Sequence, residues 1–283
     1  MSALPHPATI PDPFRVATMR RGLGALADRL DPLLGLYKPY IDGLDSLPSD
    51  GRFLLVGNHT YAGVETLLIP YVVRRHIGKR VRPLADRQFG KLKGFAAELM
   101  SAFGAIVGTP YGTRELMHAN EPILVFPGGG REVGKGRDEL YTLLWGDRAG
   151  FARLAVENNY PIVPVALVGG DDVYKILTTR DGRWGRLAKA VGQRLNGRSD
   201  ATMPLVRGIG PTLLPRPQRM YLRFSPPVDT TQPDRVPTET WVAQIRDTVK
   251  AELESNLAEL LRIRKTDPYR HMVPGTWREA VTP

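Results

Sequence analysis

The chain has 283 residues, of which 42% are hydrophobic and 24% charged, an ordinary globular composition that excludes wholesale disorder and a collagen-like repeat. It contains no cysteine, so disulfides, thiolate metal sites, iron–sulfur clusters and a cysteine nucleophile are excluded together. A formal net charge of +10 favours anionic partners such as phospholipid headgroups, phosphorylated substrates or nucleic acid, against the plainer reading of a solvated basic surface.

The opening residues, MSALPHPATIPDPF, lack the basic start and apolar centre of a signal peptide, so a cytoplasmic location is expected. Residues 14–42 set Leu23, Leu30, Leu33 and Leu34 among Arg15, Arg20, Arg21 and Arg29, the pattern of a basic amphipathic helix or helix pair broken or kinked at Pro32. Such a helix either covers a core or lies in a membrane interface. The expected organisation is an N-terminal helical segment over residues 1–45 and a single domain over 46–283.

From residue 52, short apolar runs alternate with helical patterns. Phe53–Val56, Val81–Ala85, Ala105–Val107, Ile123–Phe126 and Ile162–Val168 read as strands, with helices near 66–77, 89–102, 112–119 and 148–158. This predicts an α/β fold, a mostly parallel central sheet flanked by helices. The longest weakly charged stretch, Gly94 to Pro110, is interrupted by Glu98 and falls short of the about 18–20 apolar residues that cross a bilayer. Residues 178–218, where Gly, Pro and Arg interrupt an apolar pattern that includes Trp184, Leu187 and Leu195, read as a surface excursion. A last strand, Tyr221–Phe224, precedes a Pro-rich turn and a helix from 239 to 264. On that helix Trp241, Ile245, Val249, Leu253, Leu257 and Leu261 form one core-facing stripe.

Two strand ends carry the groups able to do chemistry. Asn58-His59 follows the first strand, and Glu65 comes six residues after the histidine as the next helix begins. A histidine oriented by a carboxylate is a general-base apparatus. On one continuous helix six residues turn through about 600°, so the pair requires His59 in a loop that folds back; the plainer reading is a histidine and a glutamate serving the helix start. The second strand end is Phe126-Pro127-Gly128-Gly129-Gly130-Arg131-Glu132, where glycines let backbone N–H groups approach a ligand or oxyanion and Arg131 offers a cationic fork. It matches neither a Walker loop nor a dinucleotide fingerprint. Asp171 and Asp172 are expected to cap a helix after the strand containing Pro164. No Gly-x-Ser-x-Gly elbow or His-Glu-x-x-His pattern occurs, and His6, His76, His118 and His271 lack ligand spacing, so no metal is expected.

The order of these blocks, Asn58-His59 and Glu65, Gly104-Ala105-Ile106, Phe126-Pro127-Gly128-Gly129-Gly130-Arg131-Glu132, then Val163-Pro164-Val165, resembles the glycerolipid acyltransferase superfamily that includes lysophosphatidic acid acyltransferases. The resemblance covers residues 50–170. It implies His59 as base with Glu65 orienting it, and substrate contacts from Asn58, Phe126, Pro127, Gly128, Gly129, Gly130, Arg131 and Pro164. The chain departs from the pattern in three places: Glu65 is one position later than the family aspartate and one methylene longer, Gly108-Thr109-Pro110 replaces an arginine block with Arg114 displaced, and Gly128 stands where the family has glutamate. These departures look like the diacylglycerol acyltransferase and phytyl ester synthase branch, whose acceptors are neutral lipids; Trp145-Gly146, Arg148 and Gly150-Phe151-Ala152 are similar to that branch too.

The resemblance implies an O-acyltransferase that needs no cofactor and moves a fatty acyl group from acyl-CoA or acyl carrier protein to a lipid hydroxyl. The alternatives are a lysophosphatidic acid acyltransferase, and a thioesterase or non-catalytic lipid-binding protein. Basic residues of the first helix and of 180–198 (Arg180, Arg183, Arg186, Lys189, Arg194, Arg198) suit an anionic membrane surface, giving a peripheral location on the inner face of the cell membrane. A nucleic-acid partner is not expected, since no binding motif or stacking platform accompanies the arginines.

Overall fold

The computed structural model describes residues 14–36, 38–61, 63–86, 89–90, 93–179, 182–186 and 204–271, with the backbone alone at residues 27 and 30–36. Helix α1 (Phe14–Leu36) is continuous. It runs through Pro32, where a break or a kink was expected, so the helix is not broken there; a proline removes only one helical hydrogen bond. Strand β1 (Tyr40–Asp42) follows, inside the stretch expected to be helical, and joins the sheet of the main body.

Five parallel strands form most of that sheet. These are β2 (Leu54–Gly57), β3 (Arg82–Ala85), β4 (Ile106–Val107), β5 (Ile123–Val125) and β6 (Ile162–Val168). The last long-range strand, β9 (Tyr221–Phe224), runs antiparallel to β6 and parallel to β1, and the order is β1-β9-β6-β2-β5-β3-β4. A separate antiparallel pair joins β7 (Lys175–Ile176), just before the stretch read as a surface excursion, to β8 (Val206–Arg207) within it. Leu187, Leu195, Arg180, Lys189, Arg194 and Arg198 lie outside the described residues.

Right-handed crossovers decide which face each helix covers. The chain steps from β2 to β3 to β4 in one direction, so α2 (Glu65–Ile77) and α3 (Phe95–Phe103) share a face, with α1 packed on α3. It then returns from β4 to β5 to β6, so α4 (Pro110–His118) and α6 (Gly150–Glu157) take the other face, joined there by the closing helix Thr238–Thr266; the one-turn α5 (Gly130–Val133) follows the glycine turn after β5. The strands divide accordingly: Phe53, Leu55, Val163, Val165 and Leu167 pack with Ile69 and Val73 of α2, while Leu54, Val56, Ile162 and Ala166 pack with Met117, Phe151, Val249 and Leu253. On the closing helix Ile245, Val249, Leu253 and Leu257 are buried as the stripe predicts, with Val242, Asn256 and Leu260 beside them.

Candidate active site

The carboxyl ends of β2, β5 and β6 lie side by side at the middle of the sheet, where open α/β sheets hold their ligands. Asn58, the residue after β2, donates from Nδ2 to the Leu167 carbonyl at 3.0 Å and accepts from the Leu167 N–H at 2.8 Å. Its buried amide thus adds one rung to the β2–β6 pairing and fixes where the chain leaves the sheet. His59 comes next, in a loop, and the chain folds back so that α2 begins at Glu65.

His59 Nδ1 meets Glu65 Oε1, with the histidine side chain 18% exposed and the glutamate fully buried. Glu65 also accepts from the Thr60 N–H at 3.0 Å and from the Thr60 hydroxyl. Its position at the first residue of α2 adds the favourable end of the helix dipole. An ionised carboxylate can only accept, so the proton sits on Nδ1 and Nε2 is left as the ring's acceptor. The ring stacks on Phe126, centroids 4.5 Å apart and planes 16° apart.

A second buried carboxylate lies behind the histidine. Glu132 accepts the His59 N–H on Oε2 at 2.7 Å and the Leu144 N–H on Oε1 at 2.8 Å. Burial pushes its carboxyl above the ordinary value, opposed by those two N–H groups and by the charge of Lys135. Its side chain fills the space beside Gly128, where an added Cβ would come within 2.1 Å of Glu132 Cδ. The neighbouring Gly129 has φ 49° and ψ −141°, a conformation that side chains strongly resist. The N–H groups of Gly129, Arg131 and Glu132 are spent on carbonyls within this turn, and Arg148 Nη1 holds the Pro127 and Gly128 carbonyls at 2.9 and 2.6 Å.

Asp171 closes the site from the β6 side. The expected cap does not form: the Gly170–Asp172 turn has no side-chain cap, and Asp171 instead takes Lys135 Nζ at 3.0 Å, both groups fully buried. It also accepts from the N–H groups of Tyr61 and Tyr141. Asp172 accepts from the Tyr141 hydroxyl and lies 3.1 Å from Arg264 of the closing helix. Burial beside these two aspartates drives the Tyr141 hydroxyl well above its usual value, so it stays a neutral donor.

A cavity of about 2280 Å³ opens at this edge, with far more apolar than polar surface. Ordinary small-molecule pockets hold about 300–1,000 Å³. His59, Thr60, Phe126, Pro127, Gly129, Gly130 and Arg148 all line it. Among the described residues no cluster of acidic or histidine side chains has the arrangement of a metal site.

An acyltransferase family profile matches residues 38–168. Phytyl ester synthase 1, chloroplastic, of Arabidopsis thaliana is 28% identical over 88% of this chain and 40% of its own. A human protein named DGAT1/2-independent enzyme synthesizing storage lipids is 30% identical over 44% of this chain and 38% of its own. Residues 38–168 thus match the acyltransferase family, and the chain is similar to these two relatives. It spans under half the length of those two relatives. The crystal structure of the 1-acyl-sn-glycerophosphate (LPA) acyltransferase PlsC from Thermotoga maritima is 16% identical to it, with a TM-score of 0.47 over 87% of this chain and 79% of that one.

Of the superfamily's motif residues, the structure brings His59, Glu65, Phe126 and the glycine turn together at one strand edge. Others face elsewhere. Arg131 is held in two hydrogen bonds by Glu139 and does not line the large cavity; Arg148, further along the chain, does. Pro164 is buried within β6, in register with Val56, and Asn58 spends its amide on the sheet. Arg114, the displaced arginine, lines the cavity with its guanidinium 2.9 Å from Glu157. Thr60 and Lys135 were not singled out from sequence, where Glu132 was named only as the end of its block and Asp171 only as a helix cap.

Proposed function

We propose that the protein is an O-acyltransferase that moves a fatty acyl group from acyl-CoA or acyl carrier protein to the hydroxyl of a neutral lipid such as diacylglycerol or a long-chain alcohol, working at a membrane surface. The observation that carries this reading is the His59–Glu65 pair set at the rim of an apolar cavity large enough for lipid chains. Nε2 of His59 takes the acceptor's hydroxyl proton as that oxygen bonds to the thioester carbonyl carbon. The carbon–sulfur bond then breaks, and the imidazolium returns the proton to the departing thiolate. Glu65 holds the ring and stabilises its charged form while it carries that proton.

A neutral acceptor is favoured by the commitment of Arg131 to Glu139, since a phosphate-bearing acceptor draws on several charge-assisted contacts. The names of the plant and human relatives point the same way. Membrane attachment is supported by the arginines of α1 beside exposed Leu26 and Leu67, and among the described residues no helix is long and apolar enough to cross a bilayer.

The test is transfer from radiolabelled acyl-CoA to a panel of diacylglycerol, long-chain alcohol and lysophosphatidic acid, for the wild type and His59→Ala. Transfer to the neutral acceptors, reduced about 10²–10⁴-fold in the variant, is expected. Full activity in a folded His59→Ala protein refutes the mechanism. Transfer confined to lysophosphatidic acid refutes the acceptor, and release of free fatty acid that no alcohol diverts identifies a thioesterase.

A further inference from the structure

The cavity at His59 is lined from both faces of the sheet. On one face it is bounded by Leu23 and Leu26 of α1, Leu67 and Tyr71 of α2, and Met100 and Phe103 of α3. On the other it is bounded by Thr113 and Met117 of α4, Phe151 and Leu154 of α6, and Leu84 and Val125 of the sheet. The strands are paired without a gap from β1 to β4, so a space touching both faces must pass round the sheet's rim. His59, Phe126 and Gly108, just beyond the ends of β2, β5 and β4, line it and run the passage along the carboxyl edge. With roughly 30 Å³ per methylene, close to a water's share of the liquid, a long fatty chain needs on the order of 500 Å³, so the cavity has room for more than one.

We propose that the two limbs hold two different substrates. The lipid acceptor enters on the α1–α2 side, the acyl chain of the donor lies between α4 and α6, and the two meet at His59. This inference rests on the acyltransferase reading above and adds which face serves which chain.

The mouths of the limbs differ in the way this assignment requires. On the α1–α2 side the lining residues Leu26, Leu67, Phe89 and Phe103 are 51%, 59%, 49% and 45% exposed, beside Arg20, Arg21 and Arg74. An apolar rim fringed by guanidinium groups complements an anionic bilayer, the phase in which a water-insoluble acceptor resides. On the α4–α6 side Met117 and Phe151 are buried, and Arg114, Arg148 and Arg153 line the opening. Arg114 and Arg153 are steadied by Glu157 and Glu239 in exposed pairs of the kind that contribute little and can exchange partners. Buried apolar walls with guanidinium groups beside them suit an acyl chain carried on a phosphate-bearing donor.

Two glycines allow each limb to be narrowed separately. Gly24 on α1 and Gly150 at the start of α6 both line the cavity; an added Cβ would meet nothing closer than the Arg74 guanidinium at 3.5 Å in the first case, and nothing within 4 Å in the second. In Gly24→Trp, KM for long acceptors should rise about tenfold relative to short ones, with the acyl-CoA chain-length profile unchanged. In Gly150→Trp the acyl-CoA profile should shift to shorter chains by a similar factor, with the acceptor series unchanged. Gly24→Leu and Gly150→Leu repeat the comparison with less bulk, should a tryptophan variant lose cooperative unfolding.

Binding is read independently of turnover by photolabelling the wild-type protein. A diazirine-tailed acyl-CoA should label residues 110–118 and 150–157, and a diazirine-tailed diacylglycerol residues 14–36 and 65–77. Both glycine variants shifting the same substrate, the two effects exchanged, or both probes labelling one set of helices overturns the assignment. Separate labelling in a protein that transfers no acyl group would uphold the two limbs and refute the reaction.

Discussion

One carboxylate, Glu65, accepts from a ring nitrogen, a backbone N–H and a hydroxyl at once. Glu65→Gln can keep these contacts, because the Thr60 hydroxyl can also accept, but it removes the negative charge that stabilises the imidazolium, and kcat should fall about 10²–10⁴-fold with KM little changed, read from steady-state transfer kinetics. Glu132 makes a different prediction. Its carboxyl is raised above 4.5 by burial, so the folded protein binds this proton more tightly than the unfolded chain. The stability this contributes is present below 4.5 and lost as pH rises through the raised value. Urea midpoints of the wild type and Glu132→Gln, measured side by side, should therefore diverge in the variant's favour as pH climbs from 4.5 through the raised value, then run parallel. The His59–Glu65 pair was legible because both residues are short-range and their chemistry is carried by side-chain type. Glu132 was not legible as a partner because it binds a backbone N–H across 73 residues, and a backbone group leaves no mark in the sequence.

At the scale of elements, strands β6 and β9 match their predicted limits residue for residue, because each is a compact apolar run bounded by turn residues. Strand β1 was missed: three half-buried residues, Tyr-Ile-Asp, carry no periodicity of their own and become a strand only because β9 is there to pair with them. The loops at the carboxyl edge are tied together by polar groups rather than by packing. Asp171 joins Lys135, past the end of the glycine-turn helix, to the N–H groups of Tyr61 and Tyr141. Lys135→Met strands that carboxylate in the interior and should cost about 3–5 kcal/mol in urea unfolding. Adding Asp171→Asn should return a large part of the loss, because the remaining amide can still accept and no charge is buried.

For the whole molecule, composition and pattern led to an α/β fold with a mostly parallel sheet, and the sheet has that form. The strand order was out of reach, because crossovers are set by which helix faces meet and not by any one segment. The concentration of arginine and exposed leucine near α1 makes a prediction at this scale. Sedimentation with anionic vesicles should be strong at low salt and fade toward 1 M, where the screening length falls from about 10 Å at 0.1 M to about 3 Å. Leu26→Ser with Leu67→Ser should weaken it by at least about tenfold at any salt, since that part of the attraction is apolar burial.

The pairing of β1 with β9 has a consequence for how the protein is made. Tyr40 lies opposite Tyr221, so a strand made before the parallel core waits for a partner made after it. The five parallel strands between them can assemble during synthesis, while α1, which directly precedes β1, stays tethered to an unfinished edge. The nascent chain therefore presents its basic helix to surrounding surfaces before the sheet beneath it is complete.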